Sequence, residues 1–301
     1  MSGARSRTIR VEEPYDLVAT LFPLRRGTGD PTMRIQPGEA WHAARTPSGP
    51  ATLRLRHDTG PVNATAWGPG AAWALEHAPG LIGADDDLSA FEPRDDVMAR
   101  VWRENRGVRL TRALGVVRTL TAAILEQKVV GVEARRAWRR MTLAVSEPAP
   151  GPGELFLPPE PATVAELPYF RFHPWGVERR RADVIRAVCA RAASLDALAE
   201  VPFDEARTRL QALPGVGPWT AAEVMRLSLG DPDAVSVGDY HLPDIVAWAL
   251  AGEPRGTDER MLELLEPYRG QRGRVQRVLE ASHISPPAFG PRMEPRSIGQ
   301  I

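Results

Sequence analysis

The stretch Leu213-Pro-Gly-Val-Gly-Pro-Trp-Thr-Ala221, with Asp239 lying 22 residues beyond Gly217, holds the residue types best placed for chemistry in this chain. Gly215 and Gly217 let the backbone turn tightly, and Pro218 suits the first turn of a following helix. The free N–H groups of such a turn and the positive end of the helix make a place for one phosphate. An ordinary turn between two helices uses the same residues, so the loop alone assigns nothing. Asp239 stands in Val237-Gly-Asp-Tyr-His241 and opens the next helical stretch. As a plain N-cap it would accept backbone N–H bonds. The same placement would let its carboxylate stabilise a developing cation or orient an attacking water. Asp233 lies in a Gly-Asp-Pro-Asp turn and Asp244 inside the helix, so neither shares that placement.

The elements that must position these residues come in two textures. Thr52–Arg56 and Val62–Trp67 alternate apolar and polar around the turn His57–Gly60, which predicts a hairpin with one wet face. Gly70–Leu81 is helical, and the acidic stretch from Asp85 to Asp96 reads as a solvated linker. Two amphipathic helices follow, Val101–Leu125 and Val129–Val145, broken at Glu126-Gln-Lys128. Six prolines from Pro148 to Pro161 make a loop. Further helices are predicted over Val177–Ala193, Asp204–Ala212, Trp219–Leu229, Asp239–Leu250, Arg260–Glu266 and Arg274–Ser282, with an irregular tail from 284 to 301. The fold class is α+β, with an N-terminal mixed domain over 1–100 and a helical domain over 101–301.

Composition narrows the partners. Lys and Arg total 38 and Asp and Glu 38, so the net charge is zero. The distribution is uneven: residues 101–140 hold 10 basic side chains against 3 acidic. A basic segment in a neutral chain points to a localised anionic partner, or to a solvated helix face. Lys128 is the sole lysine among these bases. Cys189 is the only cysteine, which excludes an internal disulfide and any multi-cysteine metal centre. The six histidines show no metal-ligand spacing, so no metal and no cofactor is expected. No apolar run approaches the roughly 20 residues of a membrane span. The N-terminal residues MSGARSRTIRVEEP lack the apolar core of a secretory signal, so a cytoplasmic protein is expected.

Taken with its spacing to Asp239, the Leu213–Gly217 loop resembles the helix-hairpin-helix DNA glycosylase superfamily. Leu120-Thr-Ala-Ala-Ile-Leu-Glu-Gln-Lys-Val-Val130 looks like that superfamily's helix and DNA-penetrating turn, and the N-terminal hairpin domain resembles the one in bacterial 3-methyladenine DNA glycosylase II. The resemblance implies an antiparallel sheet domain followed by a two-lobed helical body, with the active cleft between the lobes. It implies a monofunctional, monomeric, nucleoid-associated enzyme of base excision repair that removes alkylated purines flipped from double-stranded DNA. A glycosylase for a deaminated or oxidised purine, and a non-catalytic DNA-binding protein, are the alternatives. By the same resemblance Asp239 is the catalytic carboxylate. Trp219 occupies the position of the lysine that makes bifunctional relatives lyases, so β-elimination is not expected; its ring either lines the base pocket or packs in the core. Glu223 and Tyr240 are further pocket candidates, with Glu223 either at the pocket wall or, away from the base, pointing to solvent or paired with Arg226 or Arg277. Leu213, Gly215, Val216, Gly217, Thr220, Gln127 and Lys128 are assigned to DNA, the wedge being Gln127 or the Lys128 stem. Arg269 and Arg272, with Arg274 and Arg277, and Arg135, Arg136, Arg139 and Arg140 are candidate backbone contacts. Two positions depart from the family pattern: Glu223 replaces an aromatic residue, and Val275-Gln-Arg-Val-Leu-Glu280 has no aromatic at all.

Overall fold

The computed structural model describes residues 3–287. Five strands, β1 (Arg5–Ile9), β2 (Met33–Gln36), β3 (Glu39–Thr46), β4 (Gly49–Arg56) and β5 (Val62–Trp67), form one antiparallel sheet in the order β1-β5-β4-β3-β2. The predicted hairpin is β4–β5, in a register that pairs Leu55 with Ala64 and Leu53 with Ala66. Those side chains face helices α1 (Leu17–Leu21) and α2 (Ala71–Leu81) in one buried core. β3 lacks the alternation that marks a half-wet strand, because its outer face is covered too. There Trp41 stacks on Trp67 and packs with Ala43 against Leu155 and Leu157 of the proline-rich loop.

The rest of the chain is helical: α3 (Asp96–Glu104), α4 (Val116–Glu126), α5 (Gly131–Val145), α6 (Pro161–Glu166), α7 (Arg179–Cys189), α8 (Ala192–Asp196), α9 (Phe203–Gln211), α10 (Pro218–Val224), α11 (Leu242–Ala251), α12 (Asp258–Leu265) and α13 (Arg272–Ala281), with short 3₁₀ turns between. The body has two cores. One gathers α4, α5, α7 and α10 around Trp138 and Phe172; the other gathers α3, α11, α12 and α13 around Met98, Val246 and Met261. No helix among the described residues is long and apolar enough to cross a membrane.

Two expectations are corrected. The single helix over Val101–Leu125 is broken between α3 and α4. Gly115 there has φ +111°, closed to a helix, and Thr111 and Ala113 bond instead to the carbonyl of Leu227 at 3.1 and 3.0 Å. The acidic stretch is not simply solvated. The Asp86 side chain is only 8% exposed, accepting from Arg274 Nη2 at 2.6 Å and from Leu110 N–H at 2.9 Å, and Asp95 caps α3. The helix predicted over Trp219–Leu229 is present to its expected end, with its last turn, Met225–Leu229, π-helical. Of the irregular tail, residues 284–287 carry no regular structure and 288–301 lie outside the described residues.

Candidate active site

α9, the Leu213–Gly217 turn and α10 build the helical hairpin. Gly215 has φ +86°, and a Cβ there would collide with Val184 of α7, so only glycine fits. Gly217 is different: its φ is ordinary and a Cβ would meet nothing within 4 Å. Both glycines are exposed, and their N–H groups find no acceptor among the described residues. Val216 and Thr220 face inward at 5% and 2% exposure, and Leu213 is half-buried, so contact with a polyanion would be left to the backbone. The side chains of Val216 and Thr220 are thereby removed from the expected DNA surface.

Asp239 lies just ahead of α11. Its Oδ1 accepts from the amides of His241 at 2.8 Å and Leu242 at 2.9 Å, satisfying donors of the first helical turn. Its Oδ2 accepts from Trp219 Nε1 at 3.0 Å. Since α10 belongs to one helical core and α11 to the other, this bond crosses the junction of the two lobes. Tyr240 is 77% exposed with its ring edge-on to His241. The rival carboxylates are both committed to structure. Asp233 ties the amides of Gly270 and Arg272 and the Arg272 guanidinium; Asp244 ties the Gly256 amide and Arg255.

Glu223, one helical turn beyond Trp219, is not free at a pocket wall. It is 7% exposed, paired with Arg226 Nε at 2.8 Å, and accepts from Ser236 Oγ at 2.7 Å. The network continues through Gln276 Nε2 to Ser236 Oγ and to Glu280, which also pairs with Arg226 at 3.1 Å. Its two carboxylates hold the Arg226 guanidinium well above the ordinary arginine range against the opposing effect of burial. Ser236, Gln276 and Glu280 had no signal in the sequence, since they join segments far apart along the chain.

On the facing helix, the turn after α4 separates the two wedge candidates. Gln127 Nε2 donates to Gly215 O at 2.9 Å and to Thr220 Oγ1 at 2.8 Å, which fastens the turn to the hairpin. Lys128 is exposed with φ +56° and stands at the tip. The basic runs divide as well. Arg274 and Arg277 are buried, the first on Asp86 and the second on Ala19 O, so neither reaches a partner's surface. Arg272 is engaged by Asp233, and Arg269 is exposed but paired within its own turn to Glu266. Arg135, Arg136, Arg139 and Arg140 are all exposed on α5, with Arg139 bonded to Gly29 O and Arg140 to Pro174 O. No group of three or more His, Cys, Asp or Glu able to hold a metal occurs among the described residues.

No family model matches the chain. Over 178 residues it is 24% identical to the Bacillus subtilis protein YfjP, named as a DNA-3-methyladenine glycosylase, covering 57% of this chain and 61% of that one. Over 163 residues it is 29% identical to the bifunctional transcriptional activator/DNA repair enzyme AlkA of Mycobacterium tuberculosis, covering 54% of this chain and 31% of that one. The chain therefore spans less than two thirds of the length of these curated relatives. In fold it is similar to the 3-methyladenine DNA glycosylase of Archaeoglobus fulgidus, with a TM-score of 0.78 at 14% identity, over 92% of this chain and 98% of that one. It is also similar to the 8-oxoguanine glycosylase/lyase of Clostridium acetobutylicum, with a TM-score of 0.71 at 15% identity, over 93% and 96%.

Proposed function

We propose that this chain, which has the fold of the helix-hairpin-helix DNA glycosylases, is a monofunctional DNA N-glycosylase of base excision repair acting on alkylated purines extruded from duplex DNA. The observation that carries the reading is the Asp239 carboxylate, held at the junction of the lobes by two helix amides and the Trp219 indole. Phosphate binding by the hairpin does not need it, so a purely DNA-holding role leaves it unexplained.

The chemistry follows from that carboxylate. As the C1′–N bond breaks, its electron pair leaves with the base and positive charge develops on the sugar. Asp239 stabilises that charge and orients the water whose oxygen bonds to C1′ and whose proton is then lost. An alkylated purine is already cationic, so it departs neutral. The exposed N–H groups of Gly215 and Gly217 would hold a backbone phosphate, with open space in front of Gly217 for its approach. Trp219 cannot form a Schiff base. The single lysine, Lys128, lies on the turn after α4 and not at position 219, which supports a reaction without strand cleavage by β-elimination.

A second reading starts from position 223, where the expected aromatic residue is replaced by a buried carboxylate spent on Arg226 and Ser236, so that the aromatic grip on an alkylated purine is missing. It would suit an oxidised or deaminated purine. One experiment separates the readings. Duplexes carrying 7-methylguanine, hypoxanthine or 8-oxoguanine are incubated with the protein and with Asp239→Asn, then split into samples with and without hot alkali. The proposed function requires breaks at 7-methylguanine that need alkali and are absent with Asp239→Asn. Breaks without alkali, or full activity in the variant, contradict it.

A further inference from the structure

Two neighbouring residues tie the Lys128 turn to two different supports. Gln127 bonds to the hairpin, and Glu126 Oε1 accepts from Arg26 Nη1 at 3.1 Å, in the sheet-domain segment between α1 and β2. That segment reads Arg25-Arg-Gly-Thr-Gly-Asp30 and lies along one face of α5. Arg139 Nη1 donates to Gly29 O at 2.7 Å. Arg135, one helical turn earlier, passes between Gly27 and Gly131. A Cβ on Gly27 would stand 2.5 Å from its Cδ and 3.2 Å from its Nε, and a Cβ on Gly131 would stand 2.7 Å from its Nη1. Glycine at both positions makes room for this side chain. Arg135 is exposed and has neither a hydrogen bond nor an ion pair among the described residues.

Beside Arg135 the loop leaves three consecutive amides, those of Gly27, Thr28 and Gly29, without an acceptor among the described residues. Thr28 and Gly29 are exposed. The neighbouring carboxylates are already spent. Asp30 is 6% exposed, with Oδ1 on Thr32 and Trp138 and Oδ2 on the Arg26 amide, and Glu126 is held by Arg26. An unpaired guanidinium next to a run of unpaired amides suits a phosphate. We propose that the Gly27–Gly29 loop and Arg135 form a second DNA-backbone site, which takes one phosphate of the duplex that the hairpin also holds. The inference rests on the duplex binding in the function proposed above, and it adds a contact from the sheet domain. Lys128 is three residues from Gly131, and its turn is bonded to both supports, so the two phosphates bracket the tip. A duplex gripped at two points around the tip is kept in place while a nucleotide is pushed out. The contact carries no sequence information.

The test is equilibrium binding of a duplex with a stable abasic-site analogue, by wild type, Arg135→Gln, Thr28→Asp and Thr28→Asn, over a range of chloride concentrations. Arg135→Gln should weaken binding about five-fold at low salt and make the log–log salt slope shallower by about 0.9. Thr28→Asp, which sets a carboxylate over the free amides, should weaken binding at least as much, whereas Thr28→Asn should stay within about two-fold of wild type. Replacing single phosphates by uncharged methylphosphonates locates the contact. One replacement should cost the wild type affinity and cost Arg135→Gln nothing, while the other sensitive positions stay sensitive in both proteins. An unchanged salt slope in Arg135→Gln, or the same methylphosphonate profile in both proteins, overturns the inference. Inorganic phosphate that displaces the duplex from wild type but not from Arg135→Gln, beyond the effect of chloride at equal ionic strength, makes this a site for the free ion and also overturns it. None of these measurements needs excision. A protein that shows the Arg135-dependent phosphate but removes no base keeps the inference and loses the proposed glycosylase activity; one that binds no duplex loses both.

Discussion

The indole N–H of Trp219 and the carboxylate of Asp239 meet at 3.0 Å, so the aromatic side chain of one lobe fixes the free oxygen of a carboxylate belonging to the other. Both Oδ1 bonds come from the amides of His241 and Leu242 at the start of α11, which orient the carboxylate along that helix. Only the Trp219 bond sets its rotation relative to α10. The ring thus has a part in positioning the charge, apart from any stacking on a base.

Trp219→Phe separates those two contributions, because it keeps an aromatic face and removes the donor. Single-turnover excision should fall about ten-fold, with affinity for an abasic duplex within about two-fold. Asp239→Asn should lose activity altogether. A Trp219→Phe protein as active as wild type would show that the indole bond does not set the carboxylate's geometry.

A buried charge at the seam between sheet and helices makes a stability prediction. Asp30 is fully buried, accepting from the amides of Arg26 and Thr32, from Thr32 Oγ1 and from Trp138 Nε1. Arg118, buried on α4, stands 3.7 Å from it and lies over the Trp138 ring. Asp30→Ala strands that guanidinium and should cost about 3–5 kcal/mol. Asp30→Asn, which keeps the shape and part of the bonding, should cost less. Urea denaturation at one pH checks both, and a loss below about 1 kcal/mol for Asp30→Ala would mean that Arg118 finds another partner.

How much of this was legible depends on how far apart the partners lie. The hairpin glycines, Trp219 and Asp239 sit in one stretch of chain and are marked by local turn and capping chemistry, so residue type and spacing expose them. The β4–β5 hairpin was legible for the same reason. β3 was not, since the cover on Trp41 and Ala43 comes from residues more than a hundred positions later. For Glu223 the sequence offered Arg226, three residues on, as one of several partners, and the structure shows that pair; Ser236 and Glu280, which bond to Glu223 and to Arg226, come from distant segments and carried no signal. Arg274 and Arg277 likewise read as a basic patch, and only the tertiary fold supplies Asp86 and Ala19 O to bury them.

His42 on β3 gives a pH dependence with a definite sign. It is fully buried, both ring nitrogens lack a partner, and burial, aided by the nearby Arg118 charge, lowers its pKa to about 3. A histidine depressed in the folded state contributes stability that is present above its unfolded value and is lost as pH falls below it, because the unfolded chain then takes up a proton the folded chain refuses. With an unfolded value near 6.5, going from about pH 7 to about pH 5.5 should cost about 1 kcal/mol through this residue alone. His42→Gln should remove that component, leaving a flatter stability profile over the same interval. Parallel profiles for the two proteins would assign the acid sensitivity elsewhere.

The turn after α4 sets up the last prediction, because it gives neighbouring residues opposite tasks. Gln127 is spent on the protein: its amide ties the turn to Gly215 O and Thr220 Oγ1. Lys128 is exposed at the tip with φ +56°, a conformation that favours glycine over any L side chain. A lysine kept there gains nothing in backbone energy, so its use must lie in what the side chain reaches. If it fills the gap left by an extruded nucleotide, Lys128→Gly should relieve backbone strain and hold or raise thermal stability, yet slow excision from a fully paired duplex by about ten-fold. The defect should shrink when the lesion lies opposite a mismatch, where extrusion costs less. Gln127→Ala should behave in the reverse way, lowering stability by about 1–3 kcal/mol and slowing paired and mismatched substrates alike, because it loosens the hairpin itself. A Lys128→Gly protein slowed equally on both substrates would reduce the lysine to a phosphate contact, and its duplex binding should then fall less steeply with salt than that of the wild type, by about one phosphate contact.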